Sequence, residues 1–506
     1  LALEVRDGAL IGIDLADLIG TASGFLQSRG RQTGALDENK RTPFSQMSAI
    51  VRIKDGIATN EDLKARTPQF DIAGSGRMDL VSTELDYTLR AQVLSGPAIE
   101  VPAAVGESRG ANLFHSFQVF NVLGGLGESV TFTGPEGAKN VVSRVTGGTS
   151  EITGLKSSLI DGPLAVAIPG ASFYFINPHG VVFGEFGSIQ ADGSVHISTA
   201  DNVKLQDGGV FHADPTKTST LTSAPPSAFG FLGPSAAPIE VNGSWIGAPY
   251  TPAPVPRGTT FALSGGDIEI RAGAFGGAAI VAPGATVTIA SVASAGDVRL
   301  TGSGHVDAES LNSFPTLGNV HLSGGSFVDV GDLDVWSGAG SIYIRSGELH
   351  LSPAGLLSQS FADGDGGVVD IAVRGNLTAG TDTDTGIISV VLAGSYGGLG
   401  AGPAVKLDVG GTLDISDGSF ILSESQGPGR AGNVDIRAGT VRVRGQGLGE
   451  FTGISAENSG DGVGPSLRIA TQSFEVLNGG FVGTRNVGPG TGGALSIEAN
   501  RMLLTG

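Results

Sequence analysis

The chain has 506 residues, 83 of them Gly and none Cys, with 30 Lys+Arg against 49 Asp+Glu and a formal net charge of −19. The lack of Cys excludes disulfides and thiolate metal sites, and the negative charge opposes binding to nucleic acid. A hydrophobic content of 40% argues against global disorder, no apolar run reaches the roughly 18–20 residues of a membrane span, and Gly follows no collagen-type period.

A chain of this length outgrows a single core unless it is a repeat protein, which extends in one dimension. It begins at Leu1 with no visible signal peptide, so it reads as a fragment or a processed product whose export signal lies elsewhere. Residues 1–95 form the first segment. They hold 11 of the 30 Lys+Arg and 13 of the 49 Asp+Glu but only 9 Gly, so they are more charged than the remainder of the chain. Apolar positions at Ile13, Leu15, Leu18, Ile19, Phe25 and Leu26 predict a short amphipathic helix. From Phe44 to Val93 the apolar residues alternate, with turns expected at Lys54-Asp55-Gly56, Gly74-Ser75-Gly76 and Ser82-Thr83, which predicts an antiparallel meander. The residues Val5-Arg6-Asp7-Gly8, Gly12-Ile13-Asp14-Leu15, Ile53-Lys54-Asp55-Gly56 and Leu85-Asp86-Tyr87-Thr88-Leu89-Arg90 resemble the C-terminal region of AsmA-like proteins. That resemblance implies an envelope-associated protein of outer-membrane lipid homeostasis. The change of character at Ser95-Gly96-Pro97 is abrupt, and reads either as a gene fusion or as two sequences artificially joined.

The second segment covers residues 96–235. Phe173, Phe175 and Ile176 lead into Asn177-Pro178-His179-Gly180, where a strand must stop because Pro cannot donate to a ladder and Gly allows positive φ. Val181, Val182 and Phe183 restart a strand, and after Asp192-Gly193 the alternation resumes at Val195, Ile197, Val203 and Leu205. Strand, tight turn and strand again predict a β-solenoid. Asn112-Leu113-Phe114-His115-Ser116-Phe117, Phe120-Asn121-Val122, Ser143-Arg144-Val145-Thr146-Gly147-Gly148, Ile176 to Gly184 and Ser198-Thr199-Ala200 resemble the two-partner secretion domain of filamentous-haemagglutinin-type exoproteins. His179 replaces the second Asn of that family's Asn-Pro-Asn-Gly turn. Lys139-Asn140-Val141-Val142 stands where some members carry a second Asn-Pro motif, which suggests the subgroup lacking it. The resemblance implies export through an outer-membrane two-partner secretion transporter with periplasmic receptor domains. It also implies Asn112, Asn121, Asn177, Pro178 and Gly180 as the residues that transporter recognises. The protein would then be secreted, or held at the cell surface, by a Gram-negative-type bacterium.

Residues 236–506 repeat loosely. Units open at Gly266, Gly296, Gly318, Gly340, Gly367, Pro403, Gly432, Pro465 and Gly493, each followed by an alternating strand such as Val434-Asp435-Ile436. That spacing fits one solenoid coil with variable loops. The final unit has no polar cap, so the rod is expected to continue beyond it. The fold expected is therefore all-β: a right-handed parallel β-helix preceded by a small antiparallel β segment carrying a short helix.

Chemistry-bearing clusters are few. Ala362-Asp363-Gly364-Asp365-Gly366-Gly367 and Thr381-Asp382-Thr383-Asp384-Thr385-Gly386 offer oxygen ligands for Ca²⁺, but they follow neither calcium repeat nor EF-hand spacing and read as solvated turns. Asp329, Asp332 and Asp334 would be the carboxylates of a polysaccharide-active β-helix, but an Asp in an alternating strand usually marks its outer face, and no basic residue stands at an informative spacing from them. His115 reads as a packed or hydrogen-bonded residue rather than a ligand, and His179 as a turn residue. No catalytic residue, metal or cofactor is expected. The reading is an adhesin-like exoprotein whose further partners are cell-surface glycans or proteins. An AsmA-like lipid-handling protein and a polysaccharide-active enzyme are the alternatives.

Overall fold

The computed structural model describes residues 2–12, 37–66, 70–80, 82, 85–93, 98–124, 127–247, 253–273, 276–301, 306–332, 338–361, 363–382, 386–445 and 451–505. The helical pattern at 13–26, the join at 95–97, Asp334, Ala362 and residues 383–385 lie outside them. Contacts divide the chain into two compact units, one of 1–99 with 122–130 and one of 100–121 with 131–506.

The first unit holds a five-stranded antiparallel sheet in chain order, β1 (Ala2–Gly12), β2 (Asp37–Lys54), β3 (Ile57–Arg66), β4 (Phe70–Asp79) and β5 (Leu85–Val93). Asp55 and Gly56 join β2 to β3 with φ of 52° and 82°, and two positive φ values match the twist of a tight hairpin. The expected turn at Gly74-Ser75-Gly76 is not a turn. Those residues run through β4, with Gly74 opposite Leu63 on one side and Leu89 on the other. Ladders on both edges hold the backbone extended where local propensity alone would bend it.

The second unit is a parallel β-helix, and its inward residues stack in register from coil to coil. On the first face one stack runs Leu113, Val141, Phe173, Val195, Phe261, Val287, Ile342, Val369, Val405, Val434, Leu467 and Leu495. Two residues along each strand a parallel stack runs from Phe175 through Ile197, Leu263, Ile289, Ile344, Ile371, Leu407, Ile436 and Ile469 to Ile497. The second face repeats the device with Phe183, Val241, Ile270, Leu322, Leu351, Ala379, Ile415, Val443 and Val476. The third face stacks Ile246, Ile280, Val328, Leu356, Val391, Ile421, Ile454 and Val482. A one-residue slip between coils would turn each of these rows outward, so burial fixes the register.

Corners demand close approach. A Cβ on Gly462 would overlap the carbonyl oxygen of Gly429 one coil below. Gly at that corner is required by space, since its φ is ordinary.

The repeat phase read from the sequence needs one correction. Units opened by Gly340, Gly367, Pro403, Gly432, Pro465 and Gly493 do begin first-face strands. Those opened by Gly266 and Gly318 instead begin second-face strands, and Gly296 opens a strand that leaves the helix altogether. Every face uses the same inward alternation, so the local pattern does not tell one face from another.

Phe175 is fully buried and packs 6.0 Å from Phe173 and 5.2 Å from Phe120, ring centre to ring centre. Phe175→Ala should destabilise the full chain by about 3–5 kcal/mol, read as a lower denaturation midpoint by circular dichroism. An unchanged midpoint would remove Phe175 from the core.

Candidate functional site

The first coils differ from the later ones in being covered on their outside. Strands Asn202–Leu205, Val210–His212, Pro226–Phe231 and Gly296–Arg299 form a separate antiparallel sheet. Phe211, Phe229, Phe231 and Val298 of this sheet cluster with Phe114, Val142, Tyr174 and Ala262, which point outward from the first face. Tyr174 is pushed up to about 12 by this burial. The signal was present in the sequence: Asn112–Phe117, Asn140–Val145 and Ser172–Ile176 carry near-continuous apolar runs, as strands buried on both faces do.

Arg144 fastens the cover. Its Nη1 donates to the His212 carbonyl and, at 3.2 Å, to Ser219 Oγ, its Nε donates to Ser116 Oγ at 2.9 Å, and its guanidinium lies 4.5 Å above the Phe211 ring. From the seventh first-face strand onward the antiparallel sheet no longer covers the face, and Arg374 bonds to the carbonyls of Leu311 and Pro315 at the margin of the cover. The outward row there runs Tyr343, Asp370, Lys406, Asp435, Arg468 and Ser496, with Arg345 paired to Asp370 at 2.8 Å.

Of the five residues expected from sequence to be read by the transporter, Asn112, Asn121 and Asn177 bracket separate segments in the folded chain. Asn112 Nδ2 donates to the carbonyls of Thr222 at 3.0 Å and Ala224 at 2.6 Å, and Oδ1 accepts from Asn140 at 2.8 Å. Asn121 Nδ2 donates to Ser150 Oγ at 3.0 Å, while its Oδ1 accepts the Leu159 amide at 2.8 Å. Asn177 Nδ2 donates to the Lys156 carbonyl at 3.1 Å and Ser158 Oγ at 3.0 Å. Its Oδ1 accepts the His179 amide at 3.0 Å, closing the turn in which Gly180 takes a φ of 111°. Asn112 and Asn177 are at most 1% exposed. Pro178 is half-buried in the same turn. The structure does not bring the five residues into one surface patch.

Glu107–Arg109 pairs antiparallel with Asn112–Phe117 and closes the outer edge of the first coil. An edge occupied by a short charged strand resists further strand addition.

His115 stands in the inward row with Ser143 and Phe175, 1% exposed. The ring lies 5.3 Å from Phe132 and 6.1 Å from Phe117, and neither ring nitrogen has a hydrogen-bond partner. Burial lowers it to about 4, so it is a packed, neutral residue. His179 is exposed in its turn.

The acidic candidates are engaged with their own neighbours. Asp363 accepts the Leu399 amide at 2.8 Å and Asp365 the Ala401 amide at 2.9 Å, so both carboxylates tie one coil to the next. Asp332 does not lie on an outer face as expected. It is 1% exposed and held by Nε and Nη2 of Arg257, because it continues the inward alternation of Val328 and Val330 and is bridged in parallel to Ser360 of the next coil. Burial raises Asp329, which accepts the Gly331 amide at 2.8 Å. Among the described residues no three His, Cys, Asp or Glu side chains are grouped to hold a metal ion.

The model of the TPS secretion domain family matches residues 97–344, which contain the covered coils and stop where the outward row turns charged. Residues 97–344 are therefore similar to a TPS secretion domain, a likeness that supports a two-partner-secretion exoprotein and implies an outer-membrane transporter as its partner. The family is one of secreted, transport-related domains and not of enzymes. The chain is also similar to the HMW1 secretion domain from Haemophilus influenzae, over 79% of this chain and 96% of that one, with 14% sequence identity and a TM-score of 0.38. None of the curated proteins compared with the chain matches it.

His115 has a measurable consequence. Its value in the fold lies below the ordinary 6.5, so the neutral ring is favoured by folding. That contribution is complete above pH 6.5 and is lost as pH falls from 6.5 towards 4, amounting to about 2 kcal/mol at pH 5. In urea titrations of the full chain, His115→Leu should flatten the loss of stability between pH 7 and pH 5 by about that amount. Identical pH slopes for both proteins would show that His115 is not buried neutral.

Proposed function

We propose that the chain is an adhesin-like exoprotein whose transporter reads Asn112, Asn121, Asn177, Pro178 and Gly180 while the segment is still unfolded. The observation that supports this reading is the burial of Asn112 and Asn177 inside a segment matched by the TPS family model. Once the coils have closed, these amides are spent on internal bonds and the first strand's free edge is taken by Glu107–Arg109. Before closure the same strands can add to a receptor sheet through main-chain hydrogen bonds, with side chains giving specificity. Folding outside then proceeds coil on coil, each coil templated by the one before, and the release of free energy draws the chain outward without ATP. The coils beyond 344 present long faces at the cell surface, suited to attachment.

The hydrogen bonds favour a second role for the same residues, as folding brackets. A bracket and a recognition residue differ in what they leave intact. Asn177→Ala should lower stability by about 1–3 kcal/mol, since it strands the Ser158 and Lys156 partners. If recognition also rests on Asn177, secretion by cells carrying the transporter should fall at least tenfold. An equally destabilising control in the later coils, the double variant Ile371→Val with Ile436→Val at about 1–3 kcal/mol together, should be secreted normally. Equal secretion of the two variants would leave Asn177 a bracket only.

For residues 1–95 we infer an envelope-facing module of the AsmA type, on the motif residues named above and the five-stranded antiparallel sheet that contains most of them.

A further inference from the structure

The three faces of the later coils carry different outward chemistry. The first face is ampholytic, with the row from Asp370 to Arg468 described above. The second carries Asp414, Arg442 and Glu475 in register, with Arg442 3.7 Å from Asp414 and 2.8 Å from Glu475, and Arg501 3.0 Å from Glu475. Charges on both faces are spent on each other. The third face is aromatic and aliphatic. One outward row there contains Trp245, Phe327, Val390, Phe420 and Phe481 in register, Val390 and Phe420 adjacent and the others separated by Ala279, Gly355 and Gly453. The next row contains Leu357, Leu392 and Leu422.

These side chains are only half-buried, and Phe451 and Phe481 are 45% and 38% exposed. The rings form two groups, Trp245 5.4 Å from Phe327, and Phe451 6.1 Å from Phe420 and 5.5 Å from Phe481. Two rings lie over glycines of their own strands. A Cβ on Gly483 would come within 2.8 Å of the Phe481 ring, and one on Gly394 would overlap Tyr396. Glycine there lets the ring lie flat on the sheet with its face outward. Tyr396 stacks 5.0 Å from Phe361, donates to Glu424 and accepts from Gln359 at 3.3 Å. A polar row of Gln359, Glu424, Glu457 and Arg485 thus borders the apolar ones.

Two quantities narrow the occupant. From Trp245 to Phe481 the strip spans seven coil steps of about 4.8 Å and about 13 Å across its rows, or roughly 450 Å². A stable protein interface needs about 800 Å² from each partner, so a second copy or a folded partner is too large for it. The bordering charges are two carboxylates and one guanidinium on a chain of net charge −19, so a polyanion is repelled.

We propose that the third face beyond residue 245 binds an uncharged, linear glycan laid along the helix axis. The apolar C–H faces of its sugar rings would pack on Phe327, Phe420, Phe451 and Phe481, as apolar surface packs on aromatic faces. Its hydroxyls would bond to Gln359, Glu424 and Glu457, which offer planar donors and acceptors. Successive sugars meet successive coils, so binding grows with chain length. This gives the adhesin reading a ligand class and rests on it for its biological use.

The test is affinity electrophoresis of the full chain through native gels containing hydroxyethylcellulose, a linear mannan or a linear glucan, with polygalacturonate as the polyanion. At least one uncharged polymer should retard the protein and polygalacturonate should not. Phe420→Ala with Phe481→Ala should weaken that retardation at least tenfold with the thermal midpoint kept. Leu422→Gln, which preserves volume, gives a second reading should the double variant unfold. No retardation by any of the three uncharged polymers, retardation unchanged in the folded variants, or stronger retardation by polygalacturonate would each overturn the proposal. Attachment to cells, measured on the same proteins, separates the two claims. Attachment with no glycan binding keeps the adhesin reading and removes this face from it, and glycan binding with no attachment does the reverse.

Discussion

In-register parallel pairing between successive coils is the constraint on which the second unit depends. It places like residues over like residues, so each apolar side chain meets the next about 4.8 Å away and buries against it. Val369, Val405 and Val434 hold one position in one row, as do Ile371, Leu407 and Ile436. The pairing also dictates the corners, where Gly462 must pass the carbonyl of Gly429 too closely for any side chain. Asp363 and Asp365, which tie loop to loop, answer the same need to satisfy backbone amides between coils.

Stability in such a stack comes mainly from nearest-neighbour coils. The first coil lacks a predecessor, and this chain manages that end with several devices. Glu107–Arg109 covers its edge in the opposite direction. Asn112 ties its first strand to residues 222 and 224, more than a hundred positions away in sequence. Arg144 then holds the outer sheet down. The part matched by the TPS family model is therefore also the part that must hold together by long-range bonds. A segment of this kind stays open until its distant partners arrive.

Beyond residue 344 the constraints relax and the faces diverge. Where nothing covers the sheet, two faces fill with opposite charges that neutralise each other from coil to coil. The third keeps aromatic rings over glycine. Exposed apolar surface is a hazard on an isolated rod, and the alignment of aromatic residues in register on one face is what gives that strip a functional reading.

The sequence by itself determined the fold class, because alternating apolar residues between Gly turns leave a stacked β architecture as the way to bury every inward position. It also determined the secretion-domain motifs, the packed character of His115 and the turn at Asn177 to Gly180, all of which are short-range patterns. It did not determine which face a given unit opens, since Gly266, Gly296 and Gly340 head indistinguishable strands that take three different places. Nor did it show that Gly74 to Gly76 run straight through a strand, that Asp332 turns inward to Arg257, or that Asn112 and Asn121 are brackets. The glycines are held by ladders on both sides of their strand, and each of the other contacts depends on a partner that only the coiling of the chain brings within hydrogen-bonding reach.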